Sequence, residues 1–267
     1  MKRIFVVLFV LSLCSTAYAQ ECSKPEVSEF DPGKYYLSAE GKKGKELKKA
    51  LNGIIKGHVR HNYKCVWEIL READEDKENE NNMIGFYSRR SIPKIDQDRG
   101  GDTPDYWNRE HVWSKSHGFP NRSQHGFTDA HHLRAADKSC NSKRGSRDFA
   151  NGGERDEECK FHLGSGTVES PDLVKGDTAR MMFYMAVRYE GDDGNTPNLE
   201  LVDRRTETGE PLFGKLCTLL EWHKKDPVAD EERKRNDVIY NWQGNRNPFI
   251  DRPEWVESIW GGECVGD

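Results

Sequence analysis

WNREHVW at residues 107–113, DAHHLR at 129–134 and NSKRG at 141–145 are the stretches that decide the fold of this 267-residue chain. They place Glu110 next to His111, and neighbouring side chains of a β-strand point to opposite faces. Both can serve one site if the strand ends there and another element folds over it. The pattern therefore predicts a strand that ends at His111, a second strand over residues 129–134, and a following helix that carries Asn141.

The same stretches hold the residue types that phosphodiester hydrolysis requires. Five of the nine histidines lie within residues 111–132, and an imidazole accepts a proton from water near neutral pH. The carboxylate of Glu110 and the amide oxygen of Asn141 are hard ligands that suit Mg²⁺. Guanidinium groups hold phosphate oxygens, and the nearby arginines are Arg134, Arg144 and Arg147. The residues favour a metal-dependent phosphodiesterase; the alternative is a disulfide-bonded secreted domain with surface histidines.

Composition limits the class of protein and its partners. The formal net charge is −5, from 41 Lys and Arg against 46 Asp and Glu, which excludes an overall basic surface. A polyanionic partner must therefore be held by a local patch or a metal ion. A mean hydropathy of −0.91 excludes an integral membrane protein. Length and aromatic content fit one folded domain.

The N-terminus has the three parts of a secretory signal peptide. Lys2 and Arg3 precede an apolar run over residues 4–13, and an A-x-A cleavage site follows at residues 17–19. The run is too short to span a bilayer. We expect residues 1–19 to be removed and residues 20–267 to form one domain in the periplasm or the medium, without membrane attachment. The alternative is a buried first strand or an uncleaved anchor.

Cysteine usage agrees with export. Six cysteines follow the predicted signal peptide, an even number typical of disulfides in an oxidising compartment. Fifteen pairings are possible for six cysteines, and the sequence does not choose among them. A disulfide at Cys140 would fix the helix that carries Asn141; the alternative is a metal-ligating Cys140.

The remaining chain predicts a single domain of mixed α and β elements. The spacing of apolar residues and the turn residues predict helices over Gly44–His58, from Lys175 and from Asp226, a strand over Met83–Arg89, and loops over residues 71–82 and 96–105. The polar block over residues 243–251 is interpreted as a structural loop rather than a DNA contact.

At these residues the sequence resembles the endonuclease I family, which comprises bacterial periplasmic or secreted nucleases with a ββα-metal, or His-Me finger, active site. Besides the three stretches above, the blocks that carry the resemblance are SHGF at 116–119, residues 166–189, WHKKDPV at 222–228 and QGNRNPFID at 243–251. Ordered blocks along most of the chain are more specific than any single motif.

The resemblance implies an α+β domain, stapled by disulfides, with a ββα-metal core. It implies that His111 is the general base and that Glu110 and Asn141 bind Mg²⁺, for which Mn²⁺ or Ca²⁺ can substitute. The family cuts DNA and often RNA with little sequence specificity and leaves 5′-phosphate ends. We expect a monomer that contacts phosphates more than bases, because no motif for base reading is present.

One departure from the family concerns the arginine that clamps the scissile phosphate. Some members carry it in a long insert between the catalytic segments, but here only 17 residues separate His111 from Asp129. The clamp is therefore open among Arg122, Arg134, Arg144 and Arg147, and we take Arg134 and Arg144 as catalytic candidates. Two other functions compete: a binding module that keeps the scaffold, and a zinc hydrolase that uses His131 and His132.

Overall fold

A computed structural model describes residues 22–101, 103–191 and 193–264. The predicted signal peptide at residues 1–19 lies outside these ranges. Within them, no helix combines the length and apolar character that crossing a membrane requires.

Helices supply most of the regular structure of the described residues. They are α1 (Pro32–Tyr35), α2 (Gly44–Ile55), α3 (Val66–Ala73), α4 (Lys138–Arg144), α5 (Lys175–Arg188), α6 (Leu216–Lys225), α7 (Asp230–Gln243), α8 (Pro248–Asp251) and α9 (Trp255–Trp260). Short 3₁₀ turns lie at Leu37–Ala39, His125–Thr128 and Asp172–Val174.

The strands are short and form four separate sheets. They are β1 (Glu75–Asp76), β2 (Asn79–Ile84), β3 (Ser91–Pro93), β4 (Trp107–His111), β5 (Leu133–Asp137), β6 (Asp148–Phe149), β7 (Glu154–Arg155), β8 (His162–Leu163), β9 (Thr167–Glu169), β10 (Glu200–Leu201) and β11 (Leu212–Phe213). The sheet orders are β1-β2-β3, β4-β5, β6-β9-β8-β7 and β10-β11. Separate sheets and helices make this an α+β domain, as predicted.

The β4–β5 hairpin and α4 form the unit that the deciding stretches predict. β4 ends at His111 and pairs antiparallel with β5, with Glu110 opposite Arg134. Asn141 lies on α4, which ends at Gly145 with a φ of 60°. These predictions are confirmed, but the second strand begins at Leu133 rather than at Asp129. Residues 129–132 form a turn, because the Asp129 carboxylate accepts the N–H of His131 at 3.1 Å.

Helix α5 is the centre of the main core. Apart from Lys175 and Asp177, its residues are buried, and it packs against α2 and α6. A helix that is apolar on most of its surface must be enclosed by other elements. The hairpin residues Trp107, Leu133 and Ala135 belong to a second, smaller cluster of buried residues.

Several predicted boundaries are wrong. Residues 71–82 are not a solvated loop, because they contain the end of α3, β1 and most of β2. The strand predicted over Met83–Arg89 ends at Ile84, and the helix predicted from Asp226 begins at Asp230. Asp226 instead ends α6, and its carboxylate accepts the N–H of Gly176 at 2.8 Å.

Three disulfides join the six described cysteines. The pairs are Cys22–Cys65, Cys140–Cys159 and Cys217–Cys264. The prediction of structural disulfides is confirmed, and the alternative of a metal-ligating Cys140 is wrong, because a disulfide sulfur is not a thiolate. The second pair ties α4 to the loop before β8.

Candidate active site

A cavity of about 630 Å³ opens where β4 ends. Four consecutive residues of the strand, from Asn108 to His111, reach it, together with Asn141 of α4 and the loop that follows β4. Its walls are Tyr63, Trp67, Asp98, Asn108, Arg109, Glu110, His111, Ser114, Lys115, Ser116, Pro120, Arg122, Phe127, Asn141 and Gly145. The cavity thus brings together three of the five predicted site residues.

His111 is held in one orientation by the 3₁₀ turn at His125–Thr128. Its Nε2 donates to the carbonyl oxygen of Phe127 at 3.0 Å, and a carbonyl can only accept. The proton of the neutral ring therefore sits on Nε2, and Nδ1 is the atom with a free lone pair. Burial lowers the pKa of His111 well below its usual value, helped by the nearby His132. At neutral pH the imidazole is uncharged and able to accept a proton.

Glu110 is a buried carboxylate with one oxygen fixed. Its Oε1 accepts the hydroxyl of Tyr87 at 2.8 Å and lies 3.5 Å from Nη1 of Arg144. Burial raises the pKa of Glu110 to about 6, although Arg144 and the Tyr87 hydrogen bond act in the opposite direction. A carboxylate whose ionised form is disfavoured by burial gains stability from a nearby cation.

The side-chain amide of Asn141 is oriented by its nitrogen. Nδ2 donates to Oδ1 of Asn108 at 2.7 Å and is 3.4 Å from the carbonyl oxygen of Arg109. Both acceptors belong to β4, so this amide docks α4 onto β4. The arrangement leaves Oδ1 of Asn141 as the atom that can bind a cation.

Arg144 lies behind the site rather than in the cavity wall. It is fully buried, and its guanidinium donates to the carbonyl oxygens of His111 at 3.1 Å and Val112 at 2.5 Å. Phe149 covers the guanidinium, whose Cζ lies 4.8 Å from the ring centroid. The group is therefore committed to holding the end of β4.

Arg134 is likewise buried outside the cavity wall. Its Nε lies 3.0 Å from Oδ1 of Asp74, and its Nη1 donates to Oδ2 of Asp177 at 3.2 Å. Burial alone would raise the pKa of Asp74, but Arg134 and Arg235 hold it below the usual value. Arg134 thus forms part of a buried ion network that joins β5 to α3 and α5.

His131 and His132, which the zinc-hydrolase alternative would use, are both buried. Nε2 of His131 donates to the carbonyl oxygen of Asn245 at 3.1 Å, and Nε2 of His132 to that of Gly126 at 2.7 Å. Neither lines the cavity. Among the described residues, the one cluster of His, Cys, Asp or Glu with metal-binding spacing contains the disulfide-bonded Cys140 and Cys159, so the zinc alternative has no site there.

These two histidines should make the fold sensitive to acid. Burial lowers the pKa of each to about 4. Between pH 6.5 and pH 4 these two rings are therefore protonated in the unfolded chain but neutral in the folded chain. The unfolding free energy should therefore fall as the pH drops from about 6.5 towards 4, by about 3 kcal/mol for each ring. Urea unfolding of the wild type and of His132→Gln at pH 7.5 and pH 5 measures the difference.

Between pH 7.5 and pH 5, the unfolding free energy of the His132→Gln protein should fall less than that of the wild type, because the variant lacks one of the two buried rings. His162→Gln, a change at a partly exposed ring of β8, is the matched control and should keep the wild-type pH dependence. Equal losses in all three proteins would contradict the assignment.

The polar block over residues 243–251 is structural, as interpreted from the sequence. Gln243 accepts the N–H of Ala130 at 2.6 Å through Oε1 and donates to Asp129 at 3.1 Å. Asn245 donates to the hydroxyl of Tyr184 at 2.8 Å. These bonds fix the turn at residues 129–132, which leads into β5.

Sequence reasoning missed several residues of the cavity. Arg109 lies inside the stretch at 107–113 and Lys115 just after it; neither received a role, although the position of Arg109 beside Glu110 was a usable signal. Tyr63 and Trp67 belong to a distant segment before and within α3, and nothing in the local sequence pointed to them. Arg122, one of the open candidates for the clamp, does line the cavity.

Known proteins resemble this chain along most of its length. The sequence model of the family described as Endonuclease I matches residues 43–254. An "Extracellular ribonuclease" of Bacillus subtilis (strain 168) is 51% identical over 238 residues, which cover 88% of this chain and 81% of that protein. An "Extracellular ribonuclease" of Bacillus amyloliquefaciens is 48% identical over 248 residues, covering 92% and 84%.

A third relative matches a shorter stretch. The "Endonuclease-1" of Buchnera aphidicola subsp. Baizongia pistaciae (strain Bp) is 30% identical over 91 residues, which cover 34% of this chain and 30% of that protein. With a family match over residues 43–254 and about half of the positions shared with two near full-length relatives, the chain belongs to the Endonuclease I family of nucleases.

Proposed function

We propose that this chain is a secreted, metal-dependent endonuclease that hydrolyses RNA and DNA with little sequence specificity and leaves 5′-phosphate ends. The observation that carries the proposal is the cavity that His111, Glu110 and Asn141 line together, with the proton of the His111 ring held on Nε2 by the Phe127 carbonyl. We take β4, β5 and α4 as a ββα-metal core. The two extracellular ribonucleases support both secretion and activity on RNA.

His111 is the general base of the proposed reaction. The Phe127 carbonyl keeps the ring proton on Nε2, so Nδ1 removes a proton from the water that attacks phosphorus. Arg144 acts as a positioning residue, because it holds the carbonyl oxygens of His111 and Val112 and fixes the ring relative to the cavity.

Glu110 and Asn141 fit a divalent cation of the Mg²⁺ type. One carboxylate and one amide oxygen are hard donors, and Mg²⁺ commonly uses few protein ligands. Burial raises the pKa of Glu110 to about 6. A bound cation would stabilise the ionised carboxylate that burial disfavours. When bound, such an ion would polarise the scissile phosphate and stabilise the departing 3′ oxygen. Mn²⁺ or Ca²⁺ would satisfy the same donors.

Three cations of the cavity wall are suited to hold the phosphates. Arg109, Lys115 and Arg122 line the cavity, and none of them has a carboxylate oxygen within 4 Å among the ion pairs of the described residues. We assign phosphate binding to these side chains, whereas Arg134 and Arg144 are occupied by other partners. Affinity should then fall with salt, as for any phosphate-held polyanion.

A nuclease assay with a metal titration tests the proposal. Purified protein is incubated with RNA and with supercoiled plasmid in Mg²⁺, in Mn²⁺ or Ca²⁺, and in EDTA. Cleavage should fall to background in EDTA and return when Mg²⁺ is restored in excess. Asn141→Ala should raise the Mg²⁺ concentration for half-maximal rate by about 10-fold or more.

Asn241→Ala is the matched control, because Asn241 is an exposed amide on α7. It should keep the wild-type metal dependence. Undiminished cleavage in EDTA, or a metal dependence unchanged by Asn141→Ala, would refute the metal site.

A further inference from the structure

We propose that Tyr63, Trp67 and the guanidinium groups of Arg109 and Arg122 form a subsite for an unpaired nucleotide, so that the enzyme prefers single-stranded RNA or DNA over a duplex. The inference rests on the proposed nuclease function and adds the substrate's strandedness to it. It concerns the wall of the cavity that lies beside His111 but outside the β4–β5 hairpin.

The subsite is a stack of flat groups. Cζ of Arg109 lies 3.3 Å from the ring centroid of Tyr63 and 4.0 Å from that of Trp67. The Tyr63 ring is also 5.9 Å from the imidazole of His111. Tyr63 and Trp67 are only partly buried, and both line the cavity. A flat, partly exposed stack next to the general base offers a nucleobase a surface on which to lie.

The guanidinium groups flank the same tyrosine ring. Arg122 is exposed, and its Cζ lies 5.2 Å from the Tyr63 centroid. Arg109 donates to the Tyr63 carbonyl oxygen, while its buried Nε has no hydrogen-bond partner among the described residues. Two cations on one ring, with no carboxylate partner among the described residues, match phosphates on either side of one base.

This arrangement discriminates between strands for a geometric reason. In a duplex each base is paired and stacked within the helix, and it reaches a protein ring only after unstacking, which costs a few kcal/mol. In a single strand the base is free to lie against an aromatic or guanidinium plane. A surface that binds only the phosphates of a duplex needs cations but no aromatic rings. This wall alternates aromatic rings with guanidinium groups, as grooves that bind single-stranded nucleic acid do.

Matched oligonucleotides test the proposal. A labelled strand is presented alone and annealed to its complement, once as RNA and once as DNA, and kcat/KM is measured for each at one salt concentration. The wild type should cut the single strand at least about 10-fold more efficiently than the duplex with both sugars. Tyr63→Leu should reduce this ratio by about 10-fold, and Tyr63→Phe, which keeps the ring, should retain it.

Equal cleavage of single strand and duplex by the wild type would overturn the inference without any variant. So would a preference for RNA that ignores strandedness, because it would show recognition of the sugar. A Tyr63→Leu protein that folds, as judged by its melting temperature, and keeps the full ratio would overturn the role of the ring.

Failure of the underlying function has a different signature. If no substrate is cut with any cation, the nuclease proposal fails, and binding of the same labelled strands to the His111→Ala protein still measures strand preference. Tighter binding of the single strand supports the subsite, and equal binding rejects it.

Discussion

His111→Ala should lower kcat on RNA and DNA by about 10²- to 10⁴-fold, because the variant lacks the group that takes the proton from the attacking water. KM should change little, since the imidazole contacts the water rather than the phosphate-binding cations. The measurement is steady-state cleavage of a labelled oligonucleotide in saturating Mg²⁺.

Two matched comparisons sharpen this result. His162→Ala removes a histidine from β8, away from the cavity, and should leave kcat at the wild-type level. In the wild type, kcat should also fall in acid as the base becomes protonated, and this limb should be missing from the residual rate of His111→Ala. A variant that turns over at the wild-type rate would remove His111 from the mechanism.

Arg134→Ala should lower the unfolding free energy by about 3–5 kcal/mol, because it leaves the buried Asp74 with Arg235 alone and takes from Asp177 its nearest cation. Asp74 and Asp177 would lose the guanidinium that lies 3.0 Å and 3.2 Å from their oxygens. For a domain of this size the melting temperature should drop by about 6–20 °C. Thermal unfolding followed by circular dichroism measures the change.

Arg122→Ala is the matched control for this prediction. Its guanidinium is exposed at the cavity, so its removal should weaken substrate binding and leave the melting temperature close to that of the wild type. A reversed outcome, in which Arg134→Ala melts normally but loses turnover, would restore Arg134 to the catalytic role that the sequence suggests.

The three central groups were accessible to sequence reasoning because the elements that carry them are local. Glu110 and His111 are neighbours at a strand end, and Asn141 follows at a distance that fits strand, loop, strand and helix. Hydrophobic pattern and turn chemistry over about 35 residues suffice to place these elements. The structure accordingly gathers all three at one cavity.

The arginines could not be sorted in this way. A guanidinium in a sequence is equally able to bind phosphate or a buried carboxylate. The choice depends on Asp74 and Asp177, which meet Arg134 only in the tertiary fold. The same holds for Arg144, whose partners are backbone carbonyl oxygens. Every residue carries such an oxygen, so the residue types of the sequence do not predict this contact. Burial is a property of the whole domain, and local patterns do not contain it.

The wrong boundaries have a related cause. The acidic run over residues 71–82 looks solvated, yet Asp74 and Asp76 are buried, because Arg134 and Arg235 reach the first and Ser91 bonds the second. Tertiary partners thus overrode the local preference for a loop. The aromatic stack at Tyr63 and Trp67 escaped notice for the same reason, since the fold alone brings α3 to the end of β4.

One strand, β4, delivers Asn108, Arg109, Glu110 and His111 to the cavity in succession. A single-residue insertion or deletion within it would turn the side chains on one side of the change to the opposite face. Laboratory evolution of this enzyme should therefore accept almost no length change between Trp107 and His111. The segment over residues 115–124 supplies Lys115, Ser116, Pro120 and Arg122 to the same cavity and holds no strand, so length changes there should be tolerated better than in β4.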